Sequence, residues 1–168
     1  ATALRPGDEL IAVRQVDDTS EIMLATAQGM AIRFNCADAR PMGRDTAGVK
    51  GIALAPGDNL VACVTVKENE NPEIMTVSEL GYGKRTKLQL YRTQTRGGKG
   101  IINFKVTPKT GRVIGAMPVQ DDDALVLLTS NNKIIRTGVD DVRTVGRATQ
   151  GVRLVNLEEG STVAGFDT

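Results

Sequence analysis

The sequence predicts an all-β protein assembled from tandem units of about 51 residues. Its apolar runs are short, rich in β-branched residues and bounded by Gly, Asn, Asp or Pro, which is typical of strands. The apolar spacing of an amphipathic helix is absent, apart from one possible turn at 36–40. The same runs also recur at nearly constant intervals, so the units are expected to share one fold.

The first repeated run covers residues 21–26 and recurs at 73–78 and 124–129. A short turn follows each run, and then comes a second run that contains a basic residue. These basic residues are Arg33, Arg85 and Arg136, with intervals of 52 and 51. Each unit is therefore expected to contain at least two neighbouring strands.

A glycine-rich loop and a further apolar run complete the unit. The loops carry Arg44, Arg96 and Arg147, and the last runs begin at Gly7, Gly57, Gly111 and Gly160. Four short strands in a unit of this size match one blade of a propeller-type fold. We divide the single partial domain, 1–168, into units 7–56, 57–110 and 111–159, with 160–168 starting a further element. Such an array cannot close a ring, so two open sheet edges are expected; the chain is then either a piece of a longer protein, which we prefer, or closes by association.

Composition excludes several classes of function. The chain has no His, which rules out Ser-His triads, Cys-His pairs and His-based zinc sites. Cys36 and Cys63 lack metal or redox spacing and are expected to be reduced and structural. No apolar run approaches the ~20 residues that span a bilayer. We expect a cytoplasmic protein without membrane contact, bound metal or cofactor.

The positive charge is concentrated in one segment. The net charge is only +1, yet residues 84–112 hold nine Lys and Arg and no Asp or Glu. Residues 1–83 carry a balance of −5 and residues 113–168 a balance of −3. A segment that repels itself in this way favours a polyanionic partner over a merely solvated surface.

The loop at 95–100 has the chemistry of a phosphate site. Arg96 and Lys99 flank Gly97 and Gly98, whose missing side chains let backbone N–H groups approach an anion. Arg offers a planar fork of donors and Lys a mobile point charge. Nothing in the loop is suited to reading bases, so contact with backbone phosphates is expected.

A structural role competes with phosphate contact for the repeated arginines. Arg33, Arg85 and Arg136 lie in or beside strands, where they could pair with carboxylates or donate to carbonyls. For the loop residues Arg44, Arg96 and Arg147, phosphate contact is the preferred interpretation.

These same segments resemble successive blades of the C-terminal domain of the DNA gyrase A family. The resemblance rests on residues 41–52, 81–86 and 145–152 and covers essentially the whole chain. It implies a β-pinwheel, a six-bladed propeller variant in which blades exchange strands, of which this chain would supply about three. Its basic rim would wrap double-stranded DNA and direct the ATP-driven enzyme towards negative supercoiling.

On this resemblance the chain is a non-catalytic module whose partners are DNA, the rest of the gyrase A protein and the gyrase B protein. ATP and Mg²⁺ would belong only to the holoenzyme, which would lie in the bacterial cytoplasm at the nucleoid. The predicted DNA-binding residues are Lys84, Arg85, Lys87, Arg92, Arg96, Gly97, Gly98, Lys99 and Lys105, extended by Arg44, Lys50, Arg147 and Arg153.

Residues 94–100 resemble the signature heptapeptide of the family, which belongs to its first blade. They match it at every position except the second, where Thr95 stands in place of Arg. It remains open from the sequence whether the chain alone wraps DNA or only binds it. Two alternatives are the related topoisomerase IV domain and a propeller-like scaffold that binds protein through its loops or open edges.

Overall fold

The computed structural model describes residues 2–168 and confirms the all-β prediction. Eleven strands and three short 3₁₀ turns make up the regular structure. The strands are β1 Glu21–Thr26, β2 Met30–Asn35, β3 Leu60–Val66, β4 Glu73–Ser78, β5 Tyr82–Lys87, β6 Ile101–Ile102, β7 Val113–Val119, β8 Ala124–Thr129, β9 Ile134–Gly138, β10 Val152–Arg153 and β11 Val163–Asp167. The 3₁₀ turns are Cys36–Asp38, Leu88–Leu90 and Val139–Asp141.

The strands form three sheets, which we call blades. The first blade has the order β3-β1-β2-β6, the second β10-β5-β4-β7 and the third β11-β8-β9. All pairings between these strands are antiparallel. Each blade takes its first two strands from one unit of sequence and its flanking strands from the next. The predicted unit boundaries therefore do not follow the sheets, and they stay a prediction about the sequence.

A tight turn at Gly29 joins β1 to β2 and also holds the next unit. Gly29 has a φ of +87°, a conformation that favours glycine. Its carbonyl accepts hydrogen bonds from the N–H groups of Asn103 and Phe104. A Cβ at position 29 would lie 2.2 Å from the Phe104 carbonyl oxygen, so a side chain there would separate the two units.

The core lies between successive blades. Met23, Val64 and Ile74 belong to the cluster between the first and second blades, and Met75 and Leu125 to the cluster between the second and third. All five are almost completely buried. Because side chains alternate along a strand, neighbouring residues such as Ile74 and Met75 point to opposite faces of β4 and join different clusters.

The structure contradicts the prediction of a strand in the run that begins at Gly7. Residues 8–16 form no strand, although the equivalent runs form β3, β7 and β11. Each of those strands pairs with the first strand of the preceding unit of sequence, and among residues 2–168 no strand precedes β1 to serve residues 8–16 in this way. Leu10 and Val13 are consequently 63% and 76% exposed.

Both cysteines are free, as expected for a structural role, and burial raises the pKa of each thiol. Over residues 2–168 there is no helix of the length and apolarity that crossing a membrane requires.

Candidate nucleic-acid interface

Arg33 and Arg85 connect neighbouring blades. Arg33 pairs with Glu21 and donates to the carbonyl of Tyr91 at 3.0 Å. Arg85 pairs with Glu73 at 3.0 Å and with Asp121, and its side chain is only 10% exposed. Guanidinium groups held by carboxylates and carbonyls have few donors left for a phosphate. These bonds favour the structural alternative for Arg33 and Arg85 over the predicted contact of Arg85 with DNA.

Lys84, another predicted DNA contact, is fully buried, which disfavours contact with a phosphate. Its ammonium donates to the carbonyls of Gly146, at 2.9 Å, and of Arg147, and to the Thr149 hydroxyl at 3.3 Å. It also lies 5.5 Å from the centre of the Phe104 ring. Burial lowers the pKa of Lys84 to about 7, and the Arg147 guanidinium adds to this effect. Lys84 thus stabilises the 146–149 loop through hydrogen bonds from its ammonium group.

The 95–100 loop lies along the preceding unit rather than free in solvent. Gly97 donates its N–H to the carbonyl of Gly51 at 2.6 Å, so this donor is not available to a phosphate as predicted. Arg96 donates to the carbonyls of Asp38, at 2.9 Å, and of Lys50, at 3.1 Å. Gly98 is exposed. These bonds place Lys50 beside the loop that carries Arg96 and Lys99.

The 146–149 loop repeats this arrangement one unit later. Arg147 donates to the carbonyl of Ile102 at 2.7 Å, and the N–H of Lys105 donates to the carbonyl of Thr149 at 3.0 Å. Arg153 follows in β10, the outer strand of the second blade, where it lies opposite Tyr82. We call the edges at β6 and β10 the outer edges of the first and second blades. The loops that carry the basic residues therefore join these two outer edges.

We call the basic side chains along these joined edges the cationic rim. Its members are Lys50, Arg96, Lys99, Lys105, Arg147 and Arg153. Four of them are exposed, whereas Arg96 and Arg147 are half-buried because they also donate to carbonyls. The rim draws its residues from three consecutive units, so it exists only in the folded protein.

Carboxylates are not paired with the cationic rim. The ion pairs within residues 2–168 involve Arg33, Arg85 and Lys133, and none involves a rim residue. The interior arginines are thus neutralised by the protein, while the rim cations are not. An uncompensated row of cations attracts a polyanion and releases counterions when one binds.

Three predicted contacts are not among the members of the cationic rim. Lys87 and Arg92 are exposed on either side of the 3₁₀ turn Leu88–Leu90, and Lys87 is at the opposite end of β5 from Tyr82. A six-residue strand places its ends about 17 Å apart. Arg44 is exposed in the 41–48 loop, and no preceding blade among the described residues receives its side chain. No hydrogen bond among the described residues links the side chains of these three to the rim, so they stay predictions.

Two features of this surface were absent from the sequence prediction: Lys109 itself, and its convergence with Arg153 on one aromatic ring. Lys109 lies 5.4 Å from the centre of the Tyr82 ring, and Arg153 lies 5.6 Å from it. Lys109 belongs to the nine-cation segment, but its loop has no arginine-glycine pattern to distinguish it. Lys109 lies two residues before the turn glycine Gly111. A comparison of the residue types at this position in the three units could have identified it.

Comparison with known proteins relates this chain to one family. The family described as the DNA gyrase C-terminal domain, a β-propeller, matches residues 20–67, 72–120 and 123–168. The DNA gyrase A protein of Lawsonia intracellularis is 67% identical over 169 residues, which cover 100% of this chain and 21% of that protein. The Escherichia coli K12 gyrase A protein is 40% identical over 166 residues, covering 99% of this chain and 19% of that protein. The chain spans about a fifth of the length of these relatives.

Solved structures agree with this relationship. A DNA gyrase A C-terminal domain superposes with a TM-score of 0.81 at 30% identity, covering 90% of this chain and 51% of that one. The C-terminal domain of a DNA topoisomerase IV superposes with a TM-score of 0.90 at 26% identity, covering 98% and 51%. The fold is common to both enzymes, whereas the matched family and the relatives named above are those of gyrase. The chain belongs to the DNA gyrase A C-terminal domain family.

Proposed function

We propose that the chain is a DNA-binding and DNA-bending module of a bacterial type II topoisomerase. One observation carries the proposal: the cationic rim runs along the joined outer edges of two blades without a paired carboxylate among the described residues. Its arginines present forked donors and its lysines mobile charges, both of which suit phosphate oxygens. In a propeller, which is how the matched family is described, the blades are arranged around an axis, so their outer edges follow a curve that favours a bent duplex.

The expected recognition is of the DNA backbone and not of base sequence. The helical elements among residues 2–168 are 3₁₀ turns of three residues, too short to enter a major groove as a recognition helix. Phosphate contacts fix position without reading bases. Sequence would then influence binding through the energy needed to bend the duplex.

We place this module in an enzyme formed with the remainder of a gyrase A protein and with a gyrase B protein, acting in the cytoplasm on the nucleoid. ATP and Mg²⁺ would serve that assembly. Catalysis by this chain alone is not proposed. Tyr91 is buried and its hydroxyl donates to Asn103 at 2.6 Å, while the Tyr82 hydroxyl accepts from Arg153 at 3.0 Å.

Salt-dependent binding tests the proposal directly. Fluorescence anisotropy of a labelled mixed-sequence duplex is measured over a range of salt concentrations with the full chain. Neutralising ~6 phosphates predicts a slope of log affinity against log salt near −5. The double variant Arg96→Ala, Lys99→Ala should weaken binding to duplexes of different sequence by a similar factor. Lys67→Ala, an exposed lysine outside the rim, is the control. Affinity that barely changes with salt would contradict phosphate recognition.

A protein-binding scaffold is the second candidate, and one observation favours it. The third blade has three strands, so β9 has an open edge among the described residues, and Ile134 in this strand is 72% exposed. An open edge can accept a strand from another chain. Binding of that kind would survive high salt, so the same salt series separates the two candidates.

A further inference from the structure

The three blades differ at one pair of equivalent positions on their outer edge. The first position lies at the start of β2 and of β5, and directly before β9. The second position lies two residues before a turn glycine, which is Gly57, Gly111 or Gly160. The pairs are Met30 with Ala55, Tyr82 with Lys109, and Lys133 with Glu158. In the first blade the two side chains line an apolar groove, and in the third they form an ion pair.

In the second blade the pair is Tyr82 with Lys109, which contains no carboxylate, and two cations contact the tyrosine ring. Tyr82 is only 5% exposed, yet its ring receives the Lys109 ammonium 5.4 Å and the Arg153 guanidinium 5.6 Å from its centre. Arg153 lies opposite Tyr82 in the β10–β5 pairing and donates to its hydroxyl oxygen at 3.0 Å. The aromatic ring thereby contacts two like charges.

Several donors of this cluster remain for a ligand: Arg153 donates to the Tyr82 hydroxyl and, at 3.3 Å, to the side-chain oxygen of Asn156, so three of its five N–H groups have no partner within residues 2–168. Because the Tyr82 hydroxyl accepts from Arg153, its own hydrogen remains to be donated, and no acceptor for it occurs within residues 2–168. The hydrogen bond from Arg153 lowers the pKa of Tyr82, and the charges of Arg153 and Lys109 act in the same direction. Neither cation is paired with a carboxylate of the described chain. The site therefore lacks an anion that the third blade supplies internally through Glu158.

We propose that Tyr82, Lys109 and Arg153 form a binding site for one backbone phosphate, and that this site is particular to the second blade. The inference rests on the proposed DNA-binding function. Arg153 belongs to the cationic rim, so the site continues the same path. An arginine fork, an ammonium and a hydroxyl together match the several oxygens of a phosphodiester better than the single edge of a carboxylate.

The variant Lys109→Glu tests the site because it gives the second blade the charge arrangement of the third. The new carboxylate should pair with Arg153, as Glu158 pairs with Lys133. We expect about tenfold weaker binding of the labelled duplex and a salt slope shallower by about 0.9, the loss of one phosphate contact. Lys67→Glu makes the same charge change at an exposed position outside the rim and should leave the slope unchanged. Equal losses for the two variants would overturn the site.

A second variant tests the hydroxyl without altering charge. Tyr82→Phe keeps the aromatic ring and both cations but removes the third donor, and we expect about threefold weaker binding. If the unaltered chain binds with the expected salt slope while Tyr82→Phe and Lys109→Glu bind as it does, this inference fails alone. If the unaltered chain shows no salt-dependent binding, the proposed function fails with it.

Discussion

Arg85 donates a hydrogen bond from Nε to the backbone carbonyl of Val142 at 2.7 Å, across the boundary between the second and third blades. One unit earlier, Arg33 makes the equivalent contact with the carbonyl of Tyr91. In both units the contacted residue directly follows the 3₁₀ turn of the next unit. Arg33 and Arg85 thus connect the first blade to the second and the second to the third, and this role leaves them few donors for DNA.

Replacing Arg85 should destabilise the fold more than it affects DNA binding. Arg85→Ala removes the cation that pairs with Glu73 and Asp121 and leaves the Val142 carbonyl without its donor, and we expect the free energy of unfolding to fall by about 2–3 kcal/mol. Arg136→Ala is the matched control, since Arg136 is the equivalent residue of the third blade and is exposed. Its effect in urea denaturation should stay below about 0.5 kcal/mol. Similar losses for both variants would contradict the connecting role.

Lys84 should make stability depend on pH above neutrality. Its folded pKa of about 7 lies below the ordinary 10.5, so between these values the unfolded chain holds a proton that the folded chain has released. Stability should therefore rise with pH through this window, by at most about 1.4 kcal/mol per pH unit. Below it, the full cost of burying the ammonium is present.

The variant Lys84→Met isolates this effect. At each pH the free energy of unfolding is measured by urea denaturation for both proteins, and the difference should change in favour of the lysine as pH rises. The first blade supplies the precedent for an apolar residue here, because the equivalent Ile32 is fully buried. Parallel pH profiles for the two proteins would show that Lys84 has no shifted pKa.

Gly100 should tolerate no side chain. Its φ is +77°, and a Cβ would lie 2.2 Å from the Ala31 carbonyl oxygen, a backbone atom that β2 holds in place. We expect Gly100→Ala to lower the free energy of unfolding by about 3 kcal/mol. Gly43→Ala serves as the comparison because a Cβ there meets nothing within 4 Å, and it should cost under about 1 kcal/mol. A small effect at Gly100 in thermal denaturation would contradict the close approach of β2.

The repeats in the sequence predicted much of the fold. The runs at 21–26, 73–78 and 124–129 coincide with β1, β4 and β8, because short β-branched runs between turn residues pack as strands in any blade. The turn at 36–40 was also predicted, and it occurs at Cys36–Asp38. The same intervals of 52 and 51 lead from it to Leu88 and Val139, where the other two 3₁₀ turns begin.

Strand exchange explains what the sequence could not show. β6 and β10 have only two residues each, and they pair with β2 and β5, about 70 residues earlier in the chain. No local pattern specifies such a distant partner. The burial of Lys84 was missed for a related reason, since its acceptors lie 62 to 65 residues further on and a lysine is normally exposed.

The structure divides the basic residues that the sequence groups together as a candidate site. Concentrated positive charge identified residues 84–112, but folding divides this segment: Lys84 and Arg85 turn inward, Lys99 and Lys105 join the cationic rim, and Lys109 contacts Tyr82. Charge counting cannot make that division because carbonyl acceptors and carboxylate partners come from other units.

The most direct test of the account is the linking number of nicked circular DNA that is religated with the chain bound. If the cationic rim bends DNA along the outer edge of the blades, the mean linking number should shift from that of DNA religated alone. The shift should diminish in the variant Arg96→Ala, Lys99→Ala and persist in Lys67→Ala. An unchanged topoisomer distribution when the DNA is saturated with protein would contradict the claim that the rim shapes the path of DNA.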